Sequence, residues 1–146
     1  MTYYELVNFL YGLIDTPIEY KNIEFLNSVN ITLEGERYQR FLDQLAIVVS
    51  ERMSHVINNL KDKLVSEYLD ANTLIIETSN LANEMKYCKS LCNTLLVKPE
   101  NQKEFNTSIV DTNNKLVDAV LEFFNDEERK DIVKRLYMKE EETEIR

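Results

Sequence analysis

Two cysteines, Cys88 and Cys92, are the residues of this chain whose type and spacing most suggest chemistry. They stand four residues apart in the stretch MKYCKSLCNTLL, and the chain has no other cysteine. Two thiolates at this spacing on a helix can share a zinc ion, but they supply only half of a tetrahedral ligand set. A disulfide is not expected, because helical neighbours of this kind lie about 5–6 Å apart and a disulfide needs Cβ atoms within about 4.5 Å.

The direction of the two cysteines on their helix favours a structural role. If Leu81 is taken as the reference direction, with about 100° per residue, the two side chains fall about 20° to either side of it. This direction is the centre of the apolar stripe of the helix. Because free cysteine is among the most buried residue types, we expect Cys88 and Cys92 to belong to the hydrophobic core.

A complete metal site would need further ligands from a neighbouring helix. If the chain reverses near residues 70–73, His55 comes level with Cys88 and Glu51 comes level with Cys92. His55 is the only histidine of the chain, but it and Glu51 point away from the apolar stripe of their own helix. The sequence therefore predicts no metal site and no cofactor, and these four residues are the candidates for the alternative.

Catalytic motifs of other kinds are missing from the sequence. It has no His-Glu-x-x-His, no glycine-rich phosphate loop and no Gly-x-Ser-x-Gly. A single histidine leaves few candidates for a general base near neutral pH. We expect a protein without catalytic activity, and a helical enzyme or metal protein that uses Cys88 and Cys92 is the third of three hypotheses.

The elements that position these residues are predicted to be helices throughout. Apolar residues recur every three or four positions along three long segments, at about 33–69, 73–97 and 101–124. No segment shows the strict alternation of a half-buried strand, and the chain has only two glycines and two prolines. The sequence predicts an all-α helical bundle, in which the first two long helices form an antiparallel hairpin. The same stripe could alternatively form the seam of a coiled-coil homodimer.

Capping signals predict shorter helices at both ends of the chain. In each signal, a Thr or Asn side chain and a Glu three residues later can satisfy free backbone N–H groups. The three pairs are Thr2 with Glu5, Thr16 with Glu19, and Asn125 with Glu128. Pro17 suits the first position of the second helix, and the first two helices are predicted to end near residues 14 and 27. Residues 1–139 are predicted to form one domain, and residues 140–146 a charged, frayed tail.

The negative charge of the chain lies mainly at its two ends. The net charge is −9, with six acidic residues and one basic residue in 1–36, seven and eight in 37–98, and thirteen and eight in 99–146. Because nucleic-acid binding relies on clustered Lys and Arg, direct nucleic-acid binding is not expected. An acidic nucleic-acid mimic that blocks a nucleic-acid-binding enzyme is the second hypothesis. The plain alternative is that the acidic surface only keeps the protein soluble.

Aromatic residues are concentrated near the N-terminus. Eight of the fourteen aromatic residues fall within the first 41 positions. Aromatic side chains with acidic neighbours are typical of interaction surfaces, although they could instead cap the open end of the bundle. The candidate protein-binding residues are Tyr3, Tyr4, Tyr11, Tyr20 and Phe25.

A second surface is the basic C-terminal helix. It carries Arg129, Lys130, Lys134, Arg135 and Lys139. These residues could dock on nucleic acid or membrane, but the acidic stretch that follows favours pairing within the chain. No apolar run approaches the roughly 18 residues that cross a bilayer, so no membrane insertion is expected.

The leading hypothesis is a small, acidic, non-catalytic helical protein that binds another protein as an adaptor or inhibitor. Its predicted location is the cytoplasm, since two cysteines suit a reducing compartment. The size and the asparagine-rich composition suit an accessory protein of a phage, plasmid or virus, in which case the location is the host cytoplasm. The partner is another protein whose identity the sequence does not give.

Overall fold

The computed structural model describes residues 1–66, 71–122, 124–131 and 133–134. Within these ranges the chain is helical and contains no strand, so the predicted all-α class is confirmed. A further short helical segment at 126–131 follows the five main helices. The main helices are α1 (Tyr3–Gly12), α2 (Lys21–Ser28), α3 (Gly35–Ser66), α4 (Ala71–Cys92) and α5 (Pro99–Leu121).

Helices α3 and α4 form the predicted antiparallel hairpin. Arg52 on α3 pairs with Glu84 on α4, and Lys63 pairs with Glu77. Residue numbers rise along α3 while those of the partners fall along α4, which defines the antiparallel arrangement. The connection at 67–70, where part of the predicted reversal falls, lies outside the described residues. Helix α5 packs on α4 and more lightly on α3, and α1 packs on α3.

Helix α4 is covered on two sides, by α3 and by α5. It therefore buries a broader surface than the narrow stripe that the sequence pattern predicts. Tyr87 and Leu91 are fully buried although they lie outside that stripe. The hydrophobic core is continuous between the helices, from Leu6 on α1 to Ile109 on α5.

Capping signals predict two helix starts correctly. The Thr2 hydroxyl accepts a hydrogen bond from the backbone N–H of Glu5 at 3.2 Å. Near the other end of the described chain, Asn125 Oδ1 accepts from the N–H of Glu128 at 2.9 Å, and the Glu128 carboxylate accepts from the N–H of Asn125 at 3.3 Å. The predicted charged tail at 140–146 lies outside the described residues.

The predicted start of the second helix at Thr16 and Pro17 is wrong. The Thr16 hydroxyl donates to the carbonyl oxygen of Gly12 at 2.8 Å instead of accepting from the following turn. Residues 17–19 are not helical, and α2 begins at Lys21 without a side-chain cap. A long-range contact of the Thr16 carbonyl, described below, holds this segment in its non-helical path.

The predicted end of the fourth helix is also wrong. The sequence places it near residue 97, whereas α4 ends at Cys92 and α5 begins at Pro99. In the turn between them, the N–H of Leu95 donates to Asn27 Oδ1 at 2.8 Å, and the N–H of Lys98 donates to Tyr38 Oη at 2.9 Å. Side chains of α2 and α3 thus satisfy backbone groups that a longer helix would have satisfied itself. As a result Leu95, which falls on the apolar stripe of the predicted 73–97 helix, is 80% exposed.

None of the helices in the described part of the chain is both long and apolar enough to cross a membrane.

We expect the two glycines to respond oppositely to replacement by alanine. Gly35 has φ +58°, a conformation that costs an L-residue about 1–2 kcal/mol, so Gly35→Ala should destabilise the protein by that amount. Gly12 ends α1 in open space without a positive φ, so Gly12→Ala should be neutral or stabilise by up to about 1 kcal/mol. Urea unfolding of both variants measures the difference. Equal stability of the two variants would contradict this account.

Candidate binding face and the buried network behind it

The two cysteines lie in the core, where the apolar stripe predicts them. Neither Cys88 nor Cys92 has measurable exposure. The Cys88 thiol donates to the carboxylate of Glu84, one helical turn away, at a sulfur–oxygen distance of 3.8 Å. Burial raises the pKa of each thiol to about 12, and the negative charge of Glu84 contributes a further increase in the pKa of Cys88. Both groups are therefore protonated and unreactive at neutral pH.

The other two metal candidates lie on the protein surface. His55 Nε2 and Glu51 Oε2 are 3.9 Å apart, and both side chains are more than half exposed. The structure thus places one candidate pair in the core and the other in solvent. Among the described residues, no group of three or more His, Cys, Asp or Glu side chains is arranged to hold a metal ion.

Next to Cys88 lies a buried ion pair whose residues are not among the predicted site residues. Arg52 and Glu84 are only 5% and 7% exposed. The guanidinium donates two parallel hydrogen bonds to the carboxylate, from Nε to Oε1 and from Nη2 to Oε2, the second at 3.1 Å. This bidentate geometry is the strongest that an arginine and a carboxylate can form. It joins the middle of α3 to the middle of α4.

The remaining nitrogen of Arg52 fixes the N-terminal part of the chain. Its Nη1 donates to the carbonyl oxygens of Leu13 and Thr16, the latter at 2.7 Å. These carbonyls lie just after α1, where the backbone acceptors of a helix end lack partners within the helix. A cation is also favoured there by the negative end of the helix dipole. Arg52 therefore attaches the end of α1 to the α3–α4 hairpin.

Tyr87 connects the same network to α2. The Arg52 guanidinium lies over its ring, with Cζ 4.7 Å from the ring centroid. The Tyr20 ring contacts the Tyr87 ring edge-on, with ring centroids 5.8 Å apart. Asn22 Nδ2 donates a hydrogen bond to the Tyr87 hydroxyl oxygen at 3.4 Å. Arg52, which lies on α3, thus contacts α4 and the segment after α1 directly. It is linked to α2 through Tyr87.

The sequence does contain a signal for Arg52. It stands seven residues after Leu45 and therefore lies within the apolar stripe of its helix. A charged residue in such a stripe must find a partner, because an unpaired buried charge costs several kcal/mol. Glu84 lies one helical turn before Cys88, at the edge of the apolar stripe of α4. Periodicity alone could flag both residues but could not pair them, since the pairing depends on the register of the hairpin.

The aromatic candidates near the N-terminus have different environments. Tyr3 is half-buried beneath the Arg37 guanidinium, whose Cζ is 5.4 Å from the ring centroid. Phe25 packs on Phe9 with ring centroids 4.7 Å apart, and Tyr20 contacts Tyr87 while remaining half exposed. The other two candidates are mostly exposed: Tyr4 contacts the Tyr3 ring edge-on, with ring centroids 5.7 Å apart, and Tyr11 extends into solvent.

Tyr4 and Tyr11 lie on one side of α1, with exposed Asn8 between them. We call these three residues the α1 outer face. The two tyrosines are seven positions apart, so they lie about two turns from each other on the same side of the helix. Tyr4 is 74% exposed and Tyr11 is 52% exposed. The opposite side of α1 is fully buried through Leu6 and Leu10. The α1 outer face is therefore an exposed aromatic surface on a helix whose opposite side is packed into the hydrophobic core.

Comparison with known proteins finds no relative: no protein-family model matches the sequence, and no curated protein and no solved structure is significantly similar to it. The function must therefore be inferred from the residues of this chain.

We expect Arg52→Met to destabilise the protein by about 3–5 kcal/mol, because it leaves the Glu84 carboxylate buried without a counter-ion. The double variant Arg52→Met/Glu84→Leu should recover much of that loss, since no unpaired charge remains. Lys21→Met is the matched control, because the pair of Lys21 with Glu19 is at the surface and contributes about 0–1 kcal/mol. Urea unfolding measures all three; a cost for Arg52→Met as small as that of the control would refute the role of the network.

The thiols should be inaccessible to a thiol reagent such as Ellman's reagent in the native protein at pH 8. With a pKa of about 12, roughly one thiol in ten thousand is ionised there. Both thiols should react at once in urea, which serves as the control.

Because unfolded thiols ionise near pH 9, the stability that their burial provides is present below this pH and is lost as the pH rises toward 12. Rapid reaction of the native protein, or stoichiometric zinc in purified untagged protein, would contradict the structural role.

Proposed function

We propose that the protein is a non-catalytic binding protein that contacts another protein through the α1 outer face. The observation that carries the proposal is the exposure of Tyr4 and Tyr11 on one side of a helix whose other side is anchored in the core. Tyrosine is enriched among the residues that dominate protein interfaces, because it combines a large apolar ring with a polar tip. A rigid element also loses little conformational entropy when it binds.

The placement of the titratable residues supports a role without catalysis. Burial raises the pKa of both thiols to about 12, so neither is a nucleophile at neutral pH. His55 is exposed and faces Glu51 across one helical turn. The buried charged pair, Arg52 with Glu84, is fully used in hydrogen bonds that join helices. These environments suit structural groups and not an active site.

An accessory protein of a phage, plasmid or virus that acts in the host cytoplasm remains our prediction for the biological context. Its support is the small size and the composition of the chain. The nucleic-acid mimic is the second candidate, and the acidic residues of the N-terminal part are its support. The two candidates differ in what competes for the partner: a mimic must be displaced by nucleic acid.

The test is affinity capture from a lysate of the source organism, with and without nuclease. The baits are the wild-type protein, Tyr4→Ala/Tyr11→Ala, and Ile76→Ala as the matched control. Ile76 is 59% exposed on α4. Its replacement therefore removes an exposed apolar side chain from a helix other than α1. All three proteins should unfold within about 0.5 kcal/mol of one another, because the substitutions are on the surface.

We expect a protein partner that the wild type and Ile76→Ala retain and the double tyrosine variant loses. Retention by all three baits would exclude the α1 outer face as the contact. Stronger capture of the partner by the wild type after nuclease treatment would favour the mimic, because nucleic acid would then no longer compete for the partner.

A further inference from the structure

We propose that the α1 outer face also binds a second copy of this chain, with the two α1 helices antiparallel and related by a two-fold axis near Asn8. The inference goes beyond the proposed function, because it concerns the protein by itself, without a partner from its source. It follows from the spacing of the exposed residues and from the difference in charge between the two ends of the face.

The residues of the α1 outer face have nearly the same spacing in both directions along the helix. Tyr4 and Tyr11 are seven positions apart, and Asn8 lies close to the midpoint. In an antiparallel pair centred there, the Tyr4 ring of each copy meets the Tyr11 ring of the other, which gives two aromatic contacts. The two Asn8 side chains meet near the axis, and an amide group can both donate and accept. A two-fold interface requires a surface that complements itself in this way.

The charges beside the Tyr4 end of the face are mixed. The exposed Arg37 guanidinium lies over the Tyr3 ring, and the Tyr3 ring contacts the Tyr4 ring edge-on. The Met1 ammonium group adds positive charge at the same end, and the exposed Glu5 carboxylate adds negative charge. Such a surface does not select a partner of one sign, but it can match a surface with its own charges in the reverse order.

The Tyr11 end of the face supplies the opposite charge. Asp15 is exposed in the turn that follows α1. In the antiparallel pair its carboxylate comes level with the start of α1 in the second copy, where Arg37 and the free N–H groups of the first helical turn favour negative charge. Symmetry produces this contact twice. A parallel pair would place like ends together, so the charges favour the antiparallel orientation.

The length of the face limits the strength of the pair. Helix α1 has ten residues, which rise by about 15 Å. A standard stable interface buries about 800 Å² on each partner, and a contact along one short helix buries less. The dimer is therefore weak and dissociates on dilution. In dilute protein the α1 outer face is then free to contact another protein.

The experiment is sedimentation equilibrium of the full chain at concentrations up to the millimolar range. The variant Tyr4→Ala/Tyr11→Ala removes both rings from each copy, and Ile76→Ala is the matched control on another helix. Two further variants, Arg37→Glu and Asp15→Lys, each reverse one charge. They are measured separately and as an equimolar mixture, and circular dichroism verifies that every variant keeps its helix content.

We expect the wild type and Ile76→Ala to form the same weak dimer. The dissociation constant of the double tyrosine variant should rise at least about tenfold, because large aromatic side chains dominate interfaces. Arg37→Glu and Asp15→Lys should each weaken the dimer about tenfold, since each change makes two attractive contacts repulsive. The mixture of these two variants should restore dimerisation, because both contacts of the mixed pair then join opposite charges.

A protein that stays monomeric at every concentration would overturn the inference, as would a double tyrosine variant that dimerises as well as the wild type. Failure of the mixture to dimerise better than its two components would overturn the antiparallel arrangement. None of these results bears on the proposed function, because the lysate experiment has a separate readout, the capture of a different protein.

Discussion

The guanidinium of Arg52 lies where helices from different parts of the chain converge, and its hydrogen-bonding requirements constrain all of them. It contacts Glu84 on α4 and the carbonyls of Leu13 and Thr16 after α1, and its flat surface lies on Tyr87. A buried charge of this kind is tolerated only when each of its donors has a partner. The helices must therefore meet in one register, because a shift of either neighbour would leave the charge unsatisfied.

This constraint also determines what the surface of the protein presents. The end of α1 is held by Arg52 and its inner side by core leucines, so the tyrosines on its outer side are displayed at fixed positions. A flexible N-terminal segment with the same sequence would have to be ordered on binding, at a cost in free energy. The interior network and the proposed binding face are thus parts of one arrangement, in which the first sets the geometry of the second.

Most of the secondary structure could be predicted because its causes are local. The apolar stripes of α3, α4 and α5 and the caps at Thr2 and Asn125 depend on residues within one or two helical turns. The same local pattern places Cys88 and Cys92 in the core. Prediction failed where a side chain distant in sequence forms a hydrogen bond with the backbone. Arg52 donates to the Thr16 carbonyl, where a helix start was predicted, and Tyr38 accepts from the N–H of Lys98 in the turn before α5.

The sequence by itself determined the all-α class, the long hairpin, the acidic ends and the burial of the cysteine pair. Only the tertiary structure decided which charged residues pair with each other in the core and which aromatic residues stay outside. The physical reason is the range of the interactions. Helix periodicity and capping act between residues three to seven apart, whereas the contacts of Arg52 join residues separated by 32 to 39 positions. Such contacts exist only after the helices have packed, and they fix the direction in which Tyr4 and Tyr11 face solvent.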